Sequence, residues 1–230
     1  MQDISVHELH QHSCNHGGHD RFAATMLQGL PQLTYIELAG MQLIGPDRIS
    51  PALQPLQALT RLADLRLAFL DCTVNADVLS QAGHLTRLVV EGAALEPGAL
   101  AGKTNLKHLH LSSCKAQYGN AALETQMLSH LQVMQQLTRL HLADTLPDSW
   151  DNIPPAAAYS AVTASSTLQH LDISCRLSAL VVWWHVFPAG RQLPQLQELN
   201  IARAGHCQLA PAGSCLVSCC PGCLVSCCPD

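Results

Sequence analysis

The stretches Leu106-Lys107-His108-Leu109-His110-Leu111 and Leu137-Thr138-Arg139-Leu140-His141-Leu142 are one phrase written twice. Each carries leucine at its first, fourth and sixth positions. The last two are two positions apart, the spacing at which side chains of an extended strand return to one face. The phrase recurs with other aliphatics allowed. Leu33-Ile36-Leu38, Leu62-Leu65-Leu67 and Leu85-Leu88-Val90 precede the pair, and Leu168-Leu171-Ile173 and Leu196-Leu199-Ile201 follow it. The first positions, 33, 62, 85, 106, 137, 168 and 196, advance unevenly but never overlap. Seven occurrences specify a repeat, where a single one would mean nothing.

Between these strands lie stretches with helical spacing. From Ala121 to Gln136, the residues Leu123, Met127, Leu128, Leu131 and Met134 share a stripe. From Ser50 to Leu62, leucines 53, 56, 59 and 62 come at steps of three. A strand followed by a returning helix or turn, seven times over, resembles the leucine-rich-repeat superfamily across residues 27–209. The resemblance implies an α/β solenoid, with a curved parallel sheet on its concave side and helices or 3₁₀ turns on its convex side. One such unit cannot enclose its own leucines, but neighbours stacked at ~4.8 Å per strand build a continuous apolar column. The superfamily's unit commonly continues to an asparagine whose side chain ladders along the turn. Here that slot holds Met41, Leu70, Ala93, Cys114, Thr145, Arg176 and Ala204. The cysteine is an accepted substitute, but Leu70 and Arg176 are not, so looser turns are expected and the subclass stays open. Residues 21–32 offer a short capping helix at the N-terminal end, and no comparable cap is evident after Ile201.

With the leucines turned inward, the residues between them project from the concave sheet. One column reads Tyr35, Asp64, Arg87, His108, Arg139, His170, Glu198. The next reads Glu37, Arg66, Val89, His110, His141, Asp172, Asn200. A third is mostly small: Ala39, Ala68, Glu91, Ser112, Ala143, Ser174, Ala202. Mixed charge and hydrogen-bonding groups beside a small-residue floor suit a wet protein interface with Arg and Tyr as anchors. Solvated sheet faces have a similar composition, so another protein as partner on this face is chiefly what the resemblance implies. His110, His141 and Asp172 stand on consecutive rungs, but side chains on adjacent rungs run parallel and do not converge, so no metal site is expected. The four histidines of this face either form a pH-sensitive surface that charges below about pH 6.5 or are simply solvated.

Leucine supplies 38 of the 230 residues. Charged residues make up 13%, about half the usual ~25%. Twelve cations against 17 acids give a net charge of −5, which leaves no basic field for nucleic acid. Met1 to His10 shows neither a basic nor an apolar signal region. The longest apolar run, Leu177 to Phe187, is broken by Ser178 and His185 and is about half the ~20 residues of a membrane span. The eleven cysteines are odd in number, and Cys14, Cys72, Cys114, Cys175 and Cys207 are scattered singly, unlike a disulfide framework. A soluble cytoplasmic protein with reduced thiols is the expectation.

Three segments follow. Residues 1–20 form a histidine-rich arm, expected to be flexible, with five of the thirteen histidines between His7 and His19. Residues 21–209 form the repeat domain. Residues 210–230 contain an octapeptide copied in tandem, Cys215-Leu-Val-Ser-Cys219-Cys220-Pro-Gly and Cys223-Leu-Val-Ser-Cys227-Cys228-Pro-Asp. A disordered product of sequence duplication is the plain reading of that tail; acylation giving weak membrane association and metal chelation by its thiols are the chemical alternatives. Gly98-Ala-Leu-Ala-Gly102-Lys103-Thr104 resembles a phosphate-binding loop, but it has three residues between the glycines in place of four and precedes a strand instead of following one. Trp183 and Trp184, adjacent on a helix, would point ~100° apart, one inward and one to solvent. No cofactor is implied, and nothing arranges a nucleophile with a base. The expected function is therefore a non-catalytic interaction scaffold that binds on its concave face. A substrate-recognition arm of a ubiquitin-ligase adaptor is the analogue within the superfamily, although no F-box-like helical segment lies upstream of residue 21. A metal-binding protein using its His and Cys tails is the third reading.

Overall fold

The computed structural model describes residues 3–7, 30–39, 56–68, 73–114, 121–143, 156–173, 184–201 and 224–225. Its strands, in chain order, are β1 (Asp3–His7), β2 (Tyr35–Ala39), β3 (Asp64–Ala68), β4 (Thr73–Val74), β5 (Arg87–Glu91), β6 (Ala94–Leu95), β7 (His108–Ser112), β8 (Arg139–Ala143), β9 (His170–Asp172), β10 (Glu198–Asn200) and β11 (Leu224–Val225). Each of the seven phrases places one strand in a single sheet: β2, β3, β5, β7, β8, β9 and β10. They pair in parallel, in chain order, with the leucines of each repeat level with those of the next. Ile36, Leu65, Leu88, Leu109, Leu140, Leu171 and Leu199 form one row. Leu33, Leu62, Leu85, Leu106 and Leu168, all 0% exposed, and Leu137, at 2%, form the row beneath. The sheet is one wall of the leucine-rich-repeat solenoid, and the apolar column fills it.

Two further strands flank the seven. β1 pairs with β2, setting Ile4 against Ile36 and Val6 against Leu38, and β11 pairs with β10. Both lie in segments that composition marks as an arm and a tail. Met1, Ile4 and Val6 have the spacing of Leu33, Ile36 and Leu38, so β1 belongs to an eighth copy of the phrase, hidden by a methionine in the first position. Of residues 21–32, where a capping helix is expected, 21–29 lie outside the described residues, and 30–32 are not helical but enter a turn at Pro31-Gln32. Trp150, Trp183 and the six cysteines from Cys215 to Cys228 also lie outside the described residues.

Backbone hydrogen bonds hold the repeats in step. The carbonyl just before each strand accepts two amides of the following repeat: Thr34, Ala63, Thr86, Lys107, Thr138 and Gln169 each do so, at 2.8–3.1 Å. A tight turn recurs at the entry to six of the seven phrases, where the amide of Leu33, Leu62, Leu85, Leu106, Leu137 or Leu196 bonds the carbonyl three positions earlier. The residue giving that carbonyl is apolar in five of the six cases, and the exception is Lys103. It is 3% exposed, and its ammonium donates to the Leu79 carbonyl of the previous repeat at 2.5 Å. Burial lowers the Lys103 pKa from its ordinary value. Ser165, at the corresponding place before Leu168, is 4% exposed and donates to the Leu137 carbonyl at 2.8 Å.

The return segments form the other wall. α1 (Ala76–Leu79) and a 3₁₀ turn at Pro97–Leu100 pack together, α2 (Ala121–Val133) packs on that turn, and a 3₁₀ helix at Ala156–Thr163 packs on α2. The short β4 and β6 pair beside them. Helix α2 ends before Gln136 because Met134 turns to enter the next strand. Of the stretch from Ser50 to Leu62, the described part is a 3₁₀ turn at residues 56–58 and its exit, with Leu56, Leu59 and Leu62 buried. Among the asparagine slots, Ala93 and Cys114 are described. Cys114 is buried and its thiol donates to the Val90 carbonyl of the previous repeat at 3.1 Å. Burial pushes that thiol up to about 12. The loop that resembles a phosphate cradle has packing reasons for its glycines and lysine. A Cβ on Gly98 would lie 3.3 Å from Ala76, Gly102 takes φ +69°, and Lys103 faces inward. Trp184 is 72% exposed while Val186, two positions on, is buried.

Leu109→Ala removes a side chain from the middle of the column and should cost about 2–5 kcal/mol, read from urea unfolding. Lys103→Ala removes the charged donor to the Leu79 carbonyl, which keeps only the Ala82 amide, and should cost about 1–3 kcal/mol. An unchanged unfolding midpoint for either variant would contradict the packing described.

Candidate polar face

Side chains of the strands that do not enter the column form one polar surface, and parallel pairing places equivalent positions ~4.8 Å apart. At that spacing neighbours must complement each other. Arg66 spans two acids, with Nη1 3.3 Å from Glu37 and Nη2 3.5 Å from Glu91. Tyr35 donates its hydroxyl to Glu37 at 2.6 Å, a bond that, with burial, raises the tyrosine's pKa. Arg87 donates to Asp64 at 3.2 Å. His170 meets Glu198 at 2.9 Å, His141 meets Asp172 at 3.0 Å, and Asn200 donates to Asp172 at 3.0 Å.

At the centre the rings of His110 and His141 stack, with centroids 4.0 Å apart and planes 16° from parallel. A carboxylate closes each end of this row, Glu91 3.7 Å from His110 and Asp172 beside His141. Burial, and then the neighbouring His141, lower the His110 pKa against the opposing pull of Glu91 and Asp172. His108 is also lowered, first by burial and then by the guanidiniums of Arg139 and Arg87 on the strands either side. Stacked rings present their nitrogens side by side. Among the described residues no three His, Cys, Asp or Glu side chains are grouped to hold a metal ion.

The thirteen polar residues of the first two columns divide into two groups. Arg87, His108, His110, Arg139, His141, His170, Asp172, Glu198 and Asn200 line a cleft of about 270 Å³, together with Val89 and three of the strand leucines. Tyr35, Glu37, Asp64 and Arg66 lie outside the cleft, toward β1. Glu37 is 7% exposed, closer to a buried ion-pair partner than to a contact residue. Glu91 is not among the thirteen, since it stands in the small-residue column. It links Arg66 to His110 and so joins the two groups. Its charge, alone among alanines and serines, is the signal in the sequence that marks it.

His108, His110 and the return-helix residue His130, lowered by burial, all resist protonation in the folded chain. In the unfolded chain they protonate near their ordinary 6.5. Below that pH the unfolded chain holds more protons, so stability falls as pH drops from about 7 toward about 5. His110→Asn should flatten this fall in a melting-temperature profile, and a profile as steep as that of the parent would contradict it.

No protein-family model matches the chain, and no curated protein matches it. Solved structures do resemble it. An internalin from Listeria monocytogenes aligns at 16% identity and a TM-score of 0.46, covering 76% of this chain and 43% of that one. A leucine-rich-repeat protein of Leptospira interrogans aligns at 17% identity and a TM-score of 0.39, covering 78% and 51%. The chain thus spans about half the length of the structures it resembles. Its own strand order, leucine rows and carbonyl ladder define the fold as a leucine-rich-repeat solenoid.

Proposed function

We propose that this chain is a non-catalytic scaffold that binds another protein on the concave face of its sheet. The observation that carries the reading is the unbroken polar row from Glu37 to Asn200, whose side chains are already held by one another. Side chains ordered before binding lose little conformational freedom when a partner arrives, and a polar surface binds well when that entropy cost is small. Arginine and tyrosine, the residues enriched in energetic centres of interfaces, stand along it. A cleft of about 270 Å³ falls below the range of about 300–1,000 Å³ usual for small-molecule pockets, and it is open along the sheet. That shape favours a partner's surface over an enclosed ligand.

The test is affinity capture from the source organism, followed by mass spectrometry, using the parent chain and two variants. Arg87→Ala with Arg139→Ala and His141→Ala should abolish recovery of the partner, while surface positions of this kind shift stability by only about 0.5 kcal/mol each. Arg66 is kept because it compensates the buried Glu37. Trp184→Ala, in a return segment, should leave recovery intact. Loss of the partner with Trp184→Ala alone would move the binding surface to the convex wall.

A further inference from the structure

Among the described residues, pairing along the polar face leaves one cation over. Glu37 and Glu91 share Arg66, Asp64 has Arg87, Asp172 has His141 and Asn200, and Glu198 has His170. Arg139 on β8 has no ion pair or hydrogen bond from its guanidinium among the described residues, and it is exposed and lines the cleft. Its register neighbours are His108 on one side and His170 on the other. His108 likewise has no polar partner for its ring among the described residues. We propose that this point of the cleft receives a carboxylate side chain from an acidic segment of the protein partner, gripped by Arg139 with His108 as a second donor.

The proposal rests on reading the concave face as protein-binding and adds the chemistry of what binds there. A guanidinium presents paired N–H donors whose spacing matches a carboxylate, and such bidentate pairs are among the strongest polar contacts. No described residue occupies Arg139's donors. The cations flanking His108 make its site one where an arriving negative charge is favoured from both sides: Arg139 on β8 and Arg87 on β5 act most strongly, with His170 beyond, and Asp64 on β3 is the opposing charge. Asp172 and Glu198 line the same cleft. Their charges repel any second anion, and they penalise a phosphate, which carries nearly two, more than a carboxylate, which carries one. An acidic peptide is therefore the better fit than a phosphorylated one.

The experiment uses the full chain and dye-labelled hexaglutamate and hexaglutamine peptides, acetylated and amidated to remove terminal charges, with binding read by fluorescence anisotropy at low salt. Hexaglutamate should bind, and hexaglutamine should bind at least about tenfold more weakly, the loss expected when charge-assisted hydrogen bonds disappear. Arg139→Gln should weaken hexaglutamate by about tenfold, and Arg139→Lys, which keeps the charge but not the fork, by less. Arg191→Gln, an exposed arginine outside the cleft, should change it by less than about twofold. The His108 ring resonances should shift on binding, and the midpoint of their titration should move up. Equal binding of the two peptides, or equal loss with Arg191→Gln, would overturn the proposal. So would displacement of hexaglutamate by inorganic phosphate at equal concentration, which would make the locus a phosphate site. Failure of hexaglutamate to bind, together with loss of the captured partner in the triple variant, would remove the acidic ligand while leaving the concave interface standing.

Discussion

The structure depends on one constraint: every repeat must present its leucines at the same height as its neighbours. The apolar column supplies the driving force, since a leucine in a lone repeat would remain wet and the same leucine between two repeats is dry. The carbonyl ladder supplies the alignment. Each of the six carbonyls from Thr34 to Gln169 accepts two amides from the next repeat, so a slip by one position would forfeit both bonds. The same slip would turn the leucines outward and the charged residues in, because side chains of a strand alternate faces. Core and backbone therefore enforce a single register.

The polar face inherits that register from the core. Once the leucines are level, the residues between them are level too, and neighbours stand at a fixed close spacing. Acids then face bases: Asp64 against Arg87, Glu37 against Arg66, His141 against Asp172. Where like meets like, as with His110 and His141, the rings stack, and carboxylates close both ends of the pair. The arrangement at Arg139 differs, since its neighbours on either side are imidazoles and it makes no ion pair among the described residues. Among the described residues, the polar side is a surface ordered by internal pairing, with Arg139 left outside that pairing.

The return wall tolerates what the sheet does not. The phrase beginning at Leu85 is followed closely by the one at Leu106, while the interval from Leu106 to Leu137 is longer. The longer interval is filled by the 13 residues of α2, whereas the shorter one holds only the 4-residue 3₁₀ turn at Pro97–Leu100. Buried polar side chains tie these unequal segments together. Lys103 reaches back to the Leu79 carbonyl and Cys114 to the Val90 carbonyl, so each gives a buried acceptor of the previous repeat a donor from the next.

Much of this was legible in the chain itself. The spacing of Leu106, Leu109 and Leu111, repeated through seven units, determined the strands and which residues face outward, because a period of two allows only one partition of a strand into faces, and the resemblance to leucine-rich repeats supplied their parallel order. The helix beginning at Ala121 was readable for the corresponding reason, a stripe recurring with the helical turn. β1 is obscured because Met1 stands where leucine is usual and histidines crowd the residues after it. What only the tertiary structure decided are the meetings across repeats. That Glu91 reaches both Arg66 and His110, that Glu37 is nearly buried, that two imidazoles stack and that Arg139 is left without a described partner all depend on which rotamer each side chain takes. Columns can be written from spacing, but a rotamer is chosen by competition among several neighbours at once, and those neighbours belong to other repeats, distant in the chain.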